Sequence, residues 1–509
     1  MARYAAIDIG SNSIRMLAAE LEPQGSFRTL AAERRVVRLG TNVFREGWLG
    51  GDEIALACQV LTQMAEQCRK FEVQGMRIVA TAALRDASNR DEFLEPASRI
   101  LGAPVEVISG LEEARLIHLG VQAVWPHPKE RLLILDIGGG SAELILSEEG
   151  HFVEAFSKPL GAVRLTELFL KGDPPDPREM GRMGKYIQER IAGPVGRFSS
   201  IKANRLIATS ATAAAAVCAI NNVARSRRDR ADRLHVTTPQ IRQLFREVAA
   251  RDIATRAKMT GIGPKRSEII VAGVAVLHEV VQGLQMPRVY YSTAGVREGL
   301  IADLAHGKTG REQAALSADQ RRVVRAMGRR YGVAAPHARK VAELAGMLFH
   351  ELRSLHALPL ERGRLLEAAA YLYNIGHFVN ESRHHRHSMY LVANADLPGF
   401  EDRERMVIAN LCRYHRKSMP QPSHETFQAL EPEDRHAVAM LAPLLRLAVA
   451  LDQSQEQRVD RVAAQVQDGT VEIHLYSDTD VDIEQWHAQH VAEAFQQIYG
   501  LALVVKAKR

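Results

Sequence analysis

Two short segments of this 509-residue chain carry the same chemistry-bearing pattern. Ile7-Asp8-Ile9-Gly10-Ser11-Asn12-Ser13 recurs as Leu135-Asp136-Ile137-Gly138-Gly139-Gly140-Ser141, 128 residues further on. In each, an apolar run ends in an aspartate and gives way to a turn of small residues. Such turns leave several backbone N–H groups pointing outward as a nest for phosphate oxygens, and glycine lets the backbone come close. The hydroxyls of Ser11, Ser13 and Ser141 add donors. Asp8 and Asp136 would repel a phosphate directly. They suit a Mg²⁺ that bridges to it, bound directly or through water. Two opposed nests with two carboxylates make a phosphoryl-transfer site. One Asp-x-Gly alone would read as a tight hairpin, but its duplication at matching positions favours the site. Neither copy is a Walker loop or a Gly-x-Gly-x-x-Gly dinucleotide fingerprint.

The elements around the turns must position them. Tyr4–Ile9 and Ile14–Glu20 read as strands, Asp52–Phe71 as an amphipathic helix and Arg77–Thr81 as a strand. From Leu132 the same grammar repeats, with strands at Arg205–Ala208 and Arg288–Tyr291 and a closing helix. Alternating strands and helices imply an α/β sheet, and the repeat implies two similar lobes facing across a cleft. The expected lobes are residues 1–125 and 126–309. After the polar stretch Gly307–Glu312 strands disappear. Ala318–Tyr331, Ala338–Arg353, Arg364–Tyr373 and Arg435–Leu451 read as helices of an all-α domain over 310–458. A small α+β appendage follows over 459–509, with strands Thr470–Ser477 and Leu501–Lys506 around a helix Ile483–Tyr499.

Asp8-Ile9-Gly10-Ser11-Asn12-Ser13, Ser109-Gly110-Leu111-Glu112-Glu113-Ala114-Arg115 and Asp136-Ile137-Gly138-Gly139-Gly140-Ser141-Ala142-Glu143 together resemble the exopolyphosphatase / guanosine pentaphosphate phosphohydrolase family. The order and spacing of the motifs match along essentially the whole chain. The resemblance implies two actin-like (ribonuclease H-like) lobes and Mg²⁺-dependent hydrolysis. The substrate would be the terminal phosphoanhydride of inorganic polyphosphate or the terminal phosphate of guanosine pentaphosphate. It also implies that Glu113 is the general base for the attacking water; on the residues alone Glu112 is an equal candidate. Read without it, the pair would be helix-start charges complementing the dipole. Asp136 and Glu143 match acidic residues associated with Mg²⁺, and Arg85 matches an arginine of the phosphate site. Thr209-Ser210-Ala211-Thr212 has Ala211 where the family has glycine. Ser292–Gly299 resembles the closing turn of the second lobe, where Arg297 is either structural or ligand-binding. Sugar kinases and chaperone ATPases share the superfold but lack the Ser-Gly-x-Glu-Glu-Ala-Arg setting of Glu113. The intact acidic set argues against a non-catalytic phosphate-binding protein.

The helical half resembles the HD phosphohydrolases, with His337 and Asp452 at the outer ligand positions. Tyr373 and Asn374 stand where the His-Asp doublet belongs, so a scaffold is expected there in place of a metal centre. Its clustered cations, Arg383, His384, His385, Arg386 and His387 with Arg413, His415, Arg416 and Lys417, read either as a solvated basic face or as a track for a long polyanion. Arg225–Arg233, of mixed sign, reads as an exposed loop. Gly261-Ile262-Gly263-Pro264-Lys265-Arg266 could pass for a DNA-binding hairpin turn but reads more simply as a helix start.

Hydrophobic residues at 46% and charged residues at 25% exclude a disordered or fibrous chain. Four separated cysteines, with no Cys-x-x-Cys, argue against a disulfide framework and a cysteine zinc site. Asp8 interrupts any N-terminal signal, and no apolar run is long enough to span a bilayer, so a cytoplasmic location without membrane partners is expected; a homodimer without nucleic-acid partners is expected as well. The net charge of +6 permits an anionic partner, and its placement favours phosphate chains.

Overall fold

Each copy of the repeat folds as a strand, a tight turn and a return strand, because its apolar residues meet a turn that small residues can close. The computed structural model describes residues 2–22, 26–305, 314–467 and 469–508. It divides into two units, Met1–His306 and Gly307–Arg509. The stretch Gly307–Glu312, read from sequence as the junction, lies outside the described residues.

The first sheet contains β1 (Arg3–Ile9), β2 (Ser13–Leu21), β3 (Phe27–Val36), β4 (Gly75–Ala80) and β5 (Val105–Val107), in the order β3-β2-β1-β4-β5. The second contains β6 (Arg131–Ile137), β7 (Ala142–Glu148), β8 (His151–Lys158), β9 (Arg205–Thr209), β10 (His235–Thr237) and β11 (Arg288–Tyr291), in the order β10-β11-β9-β6-β7-β8. Without β10 the two orders are the same. The agreement reaches single residues. Asp8 faces Arg15 across β1 and β2, Asp136 faces Glu143 across β6 and β7, and both pairs obey the 128-residue offset. A register shift lies between Ala18 and Ala19 in one copy and between Leu146 and Ser147 in the other, again at that offset. Gly10 N donates to Ser13 O at 3.2 Å, and Gly138 N donates to Ser141 O at 3.0 Å. Two actin-like lobes are therefore present as one duplicated unit.

Two helices are exchanged between the lobes. Gly110–Val124 buries Ala114, Ile117 and Val121 with Leu132, Ile134 and Ile145 of the second sheet. Val296–Ala305 buries Leu300 and Ile301 with Ala6, Leu17 and Val79 of the first. They cross at glycines. A Cβ on Gly120 would lie 2.2 Å from Gly295 O, and one on Gly299 would lie 1.9 Å from Leu116 O. The crossing joins the lobes beneath the cleft and fixes the start of the helix that carries Glu113.

The second unit is helical from Ala318–Arg330 to Pro432–Ala450 and has one continuous core. Its last part is a three-stranded sheet of β12 (Arg461–Gln467), β13 (Thr470–Tyr476) and β14 (Ala502–Lys508). The single helix expected over 483–499 is two, Asp482–Gln489 and Ala492–Tyr499. The chain tightens at the break, where His490 N bonds His487 O and Val491 N bonds Ala488 O. Among the described residues no helix is long and apolar enough to cross a membrane.

Candidate active site

The two turns and the start of the exchanged helix open on one cleft of about 290 Å³. Asp8, Gly10, Ser11, Asn12 and Ser13 line it from the first lobe, and Asp136, Gly138, Gly139, Gly140 and Ser141 from the second. The turns meet closely: a Cβ on Gly139 would lie 3.1 Å from Asn12 N, and one on Gly140 would lie 2.8 Å from Ser11 Oγ. Ser11 Oγ and Asn12 Nδ2 are buried with no hydrogen-bond partner. Buried polar atoms are ordinarily paired, so donors left open at this cleft fit a ligand rich in acceptors.

Glu113 also lines the cleft. Ser109 caps its helix, with Oγ accepting from Glu112 N at 3.2 Å, which places the carboxylate in the first turn. Arg85 Nη1 donates to Glu113 Oε2 at 3.1 Å. Burial raises the Glu113 carboxyl to about 7, Asp8 and Asp136 push the same way, and Arg85 opposes them. A carboxylate at that value suits proton abstraction from water near neutrality.

Glu112, equivalent on sequence, points elsewhere. Arg115 forks onto its two oxygens at 2.7 and 2.8 Å, and Arg77 and Arg115 also bond Asp303 of the other exchanged helix. It belongs to a buried network that ties the crossing together. Arg85 stands behind Glu113 and is not part of the cleft lining; its guanidinium holds Glu113 and the carbonyl of Ile108.

Asp8 and Asp136 both have raised pKa values, chiefly through burial. Thr209 Oγ1 donates to Asp136 Oδ1. Glu143 sits behind the lining, fully buried, with Oε1 accepting from Ser157 Oγ at 2.7 Å and Oε2 unpartnered. Burial, with Glu113 and Asp136 nearby, raises Glu143 well above the carboxylate range. Among the described residues no three acidic, histidine or cysteine side chains converge as a cage for a metal. The set fits Mg²⁺ held by one or two carboxylates, waters and substrate phosphates, as that ion commonly is.

Five arginines complete the cleft: Arg15, Arg34, Arg228, Arg266 and Arg297. Burial lowers Arg15; burial and neighbouring arginines push Arg34 down to about 9 and Arg266 well below its usual value. Crowded, desolvated cations of this kind are stabilised by an anion. Sequence reading missed Arg15, Arg34 and Arg266 as site residues. Arg225–Arg233 is largely exposed, as expected, but Arg225–Ala231 is a short 3-10 helix and not a loop, and from it Arg228 turns inward to Tyr291 Oη at 2.9 Å. Arg297 is both structural and cleft-lining, donating to Met16 O at 3.2 Å. Ser210, in the turn whose next residue is Ala211, takes a left-handed φ of 77° and lines the cleft. Gly261, Lys265 and Arg266 border a basic recess of about 170 Å³ that shares Arg34, Ala211, Arg228 and Arg266 with the cleft. The Gly261 turn packs on the end of the helix Ser210–Ile220, where a Cβ would lie 2.6 Å from Ala219 N.

The remaining candidates lie in the second unit. Arg383, Arg386, Arg416 and Lys417 are exposed, Arg413 bonds Thr426 Oγ1, and His384 and His415 are buried against each other. His337 and Asp452 come together, with Nδ1 2.7 Å from Asp452 Oδ2. The Tyr373 hydroxyl lies 2.6 Å from His337 Nε2, the atom a metal would use.

A family model described as the Ppx/GppA phosphatase family matches residues 19–308, and one described as Ppx/GppA phosphatase, domain III, matches residues 320–493. A Ppx/GppA family member of Aquifex aeolicus is similar at 28% identity and TM-score 0.53, over 61% of this chain and 99% of that one. An exopolyphosphatase-like protein is similar at 26% identity and TM-score 0.56, over 60% of this chain and 97% of that one. An exopolyphosphatase from Cytophaga hutchinsonii shares the fold at 23% identity and TM-score 0.56, over 60% and 98%.

Proposed function

Since the chain belongs to the Ppx/GppA phosphatase family, and is thus a phosphohydrolase, we propose that it releases orthophosphate from the end of inorganic polyphosphate. The observation that carries this reading is the lining of the cleft. It sets a buried carboxylate poised near neutrality opposite two phosphate nests and among five arginines. A polyphosphate end presents negative oxygens on every phosphorus, which suits a wall of arginines and open N–H donors.

In this mechanism Glu113 takes a proton from the attacking water. Arg85 holds the carboxylate in place and ionised enough to accept it. The Gly10–Ser13 and Gly138–Ser141 turns orient the terminal phosphate, and the arginines stabilise charge that shifts to the leaving phosphate. Asp8 and Asp136, with Glu143 behind them, would hold Mg²⁺, which when bound would supply charge neutralisation at the phosphate oxygens.

A second reading, the terminal phosphate of guanosine pentaphosphate, draws support from the recess. Its floor of Ala211, Ala214, Ala215 and Cys218 beneath Arg34, Arg225 and Lys265 would accept a nucleoside with phosphates. Phosphate release from long polyphosphate and from guanosine pentaphosphate, each with Mg²⁺ and with chelator, separates the two. Faster Mg²⁺-dependent release from polyphosphate is expected. Release from guanosine pentaphosphate alone would replace the first reading with the second.

A further inference from the structure

One side chain grips the second nest from outside the cleft. Arg164, in the helix Ala162–Phe169, donates from Nε to the carbonyl of Gly140 at 2.7 Å and from Nη2 to Asp86 Oδ2 at 2.6 Å. Its guanidinium lies 4.0 Å over the ring of Phe44, so it reaches from the second lobe into the first. Gly138, Gly139, Gly140 and Ser141 line the cleft, and Arg164 stands behind them.

The carbonyls of this turn point back toward that helix. Gly138 O accepts from Ala162 N at 2.9 Å, and Gly139 O accepts from Val163 N and Arg164 N at 2.9 and 3.1 Å. Gly161 makes the approach possible, since a Cβ there would lie 2.2 Å from the carbonyl carbon of Gly139. In a trans peptide the carbonyl and the following N–H point in opposite directions. The N–H groups of Gly139, Gly140 and Ser141 are thereby turned away from the helix, toward the cleft, and no described residue's backbone oxygen accepts from them.

The third carbonyl is held differently from the first two. Backbone N–H groups hold Gly138 and Gly139, whereas among the described residues the donor to Gly140 O is Arg164 Nε. The counterpart of Gly140, 128 residues earlier, is Asn12, whose carbonyl accepts from the backbone N–H groups of Val37 and Arg38 at 3.2 and 3.1 Å. In the second lobe a side chain does what the backbone does in the first. Asp86, which holds that side chain, follows Arg85 on the short helix Ala82–Asp86, and Arg85 bonds Glu113.

We propose that Arg164 is a positioning residue for the reaction. It fixes the Gly140–Ser141 peptide so that the Ser141 N–H meets the terminal phosphate, and Asp86 acts through it. Two adjacent residues, Arg85 and Asp86, thus hold the base and the second nest in register. The inference rests on the reading of the cleft as the phosphate site.

Amide NMR of full-length protein labelled with ¹⁵N-serine, titrated with orthophosphate in the presence of Mg²⁺, tests this. Ser13→Ala and Ser141→Ala identify the two signals. In wild type both amides should shift saturably. In Arg164→Ala the Ser13 amide should still shift, which reports a folded cleft, and the Ser141 amide should lose most of its response. Asp86 is about 42% exposed, so Asp86→Ala should fold, and it should give the same loss in weaker form. In turnover assays Arg164→Ala should lower kcat on the order of a hundredfold. The acidic limb of its pH profile should stay in place, because Arg85 and Glu113 keep their bond. Adding Asp86→Ala to Arg164→Ala should cost nothing further. A full Ser141 response beside that of Ser13 in Arg164→Ala, or an unchanged kcat, overturns the proposal and leaves the reading of the cleft standing. If Arg164→Ala does not fold, a full Ser141 response in Asp86→Ala overturns it. A wild type in which neither amide responds overturns both.

Discussion

One nitrogen of Arg85 bonds two partners, the carboxylate of Glu113 at 3.1 Å and the carbonyl of Ile108 at 2.8 Å. The arginine is thereby anchored to the end of β5 and in turn anchors Glu113. Because Arg85 pulls the Glu113 pKa down against burial, Arg85→Ala should move the acidic limb of the kcat/KM profile above its wild-type position near 7. It should also lower the plateau tenfold or more, on the order expected when a base loses its orienting partner. Phosphate-release rates across pH 5–9 check this. An unchanged limb would remove Arg85 from this role.

Glu113 should make stability depend on pH. Its folded-state pKa is raised to about 7 from 4.5. The neutral acid is therefore favoured in the folded state, and stability falls as pH rises from the unfolded value through the folded one. Glu113→Gln removes the buried charge. It should match wild type below about pH 4.5 and gain an advantage on the order of 3 kcal/mol that levels off above pH 7. Denaturant melts of metal-free protein at pH 5 and 8 would show it.

Glu112 separates structure from chemistry. Its two oxygens hold Arg115 at 2.7 and 2.8 Å within the network that includes Asp303. Glu112→Ala should cost about 3 kcal/mol, as removal of one partner of a buried ion pair does. Under conditions where the variant remains folded, its kcat should fall far less than that of Glu113→Gln.

Much of the site was legible in sequence because the duplication doubles the signal. One Asp-Gly turn is ordinary, while two at a fixed offset declare a pair of lobes. The arginines were not legible, since a lone arginine on a strand has no pattern of its own. Arg15 could have been found by laying the copies over each other, where it stands opposite Glu143 of the second copy. Arg34 sits on β3, an exposed edge strand whose charges hide its alternation. Arg266 lay in a turn read as a helix start. The exchange of the two helices rests on contacts between residues far apart in the chain, which periodicity cannot register.

That exchange gives a mechanical test. Gly120→Ala and Gly299→Ala would set a methyl 2.2 Å from Gly295 O and 1.9 Å from Leu116 O. Neither backbone oxygen can yield without parting the helices. Each variant should lose about 3 kcal/mol or more of stability, the upper range for overpacking. The activity of the folded fraction should also fall, because the helix start that aims Glu113 shifts. Thermal melts beside specific activity would measure both.

The most direct test of the account is polyphosphate turnover by Glu113→Gln, measured together with equilibrium binding of the same polyphosphate. Turnover should fall by about three orders of magnitude or more, as loss of a general base in a preorganised site allows. Binding should stay within about threefold of wild type, because the turns and the arginines remain. Turnover near wild type in a folded Glu113→Gln protein would contradict the assignment of the base and with it the central claim.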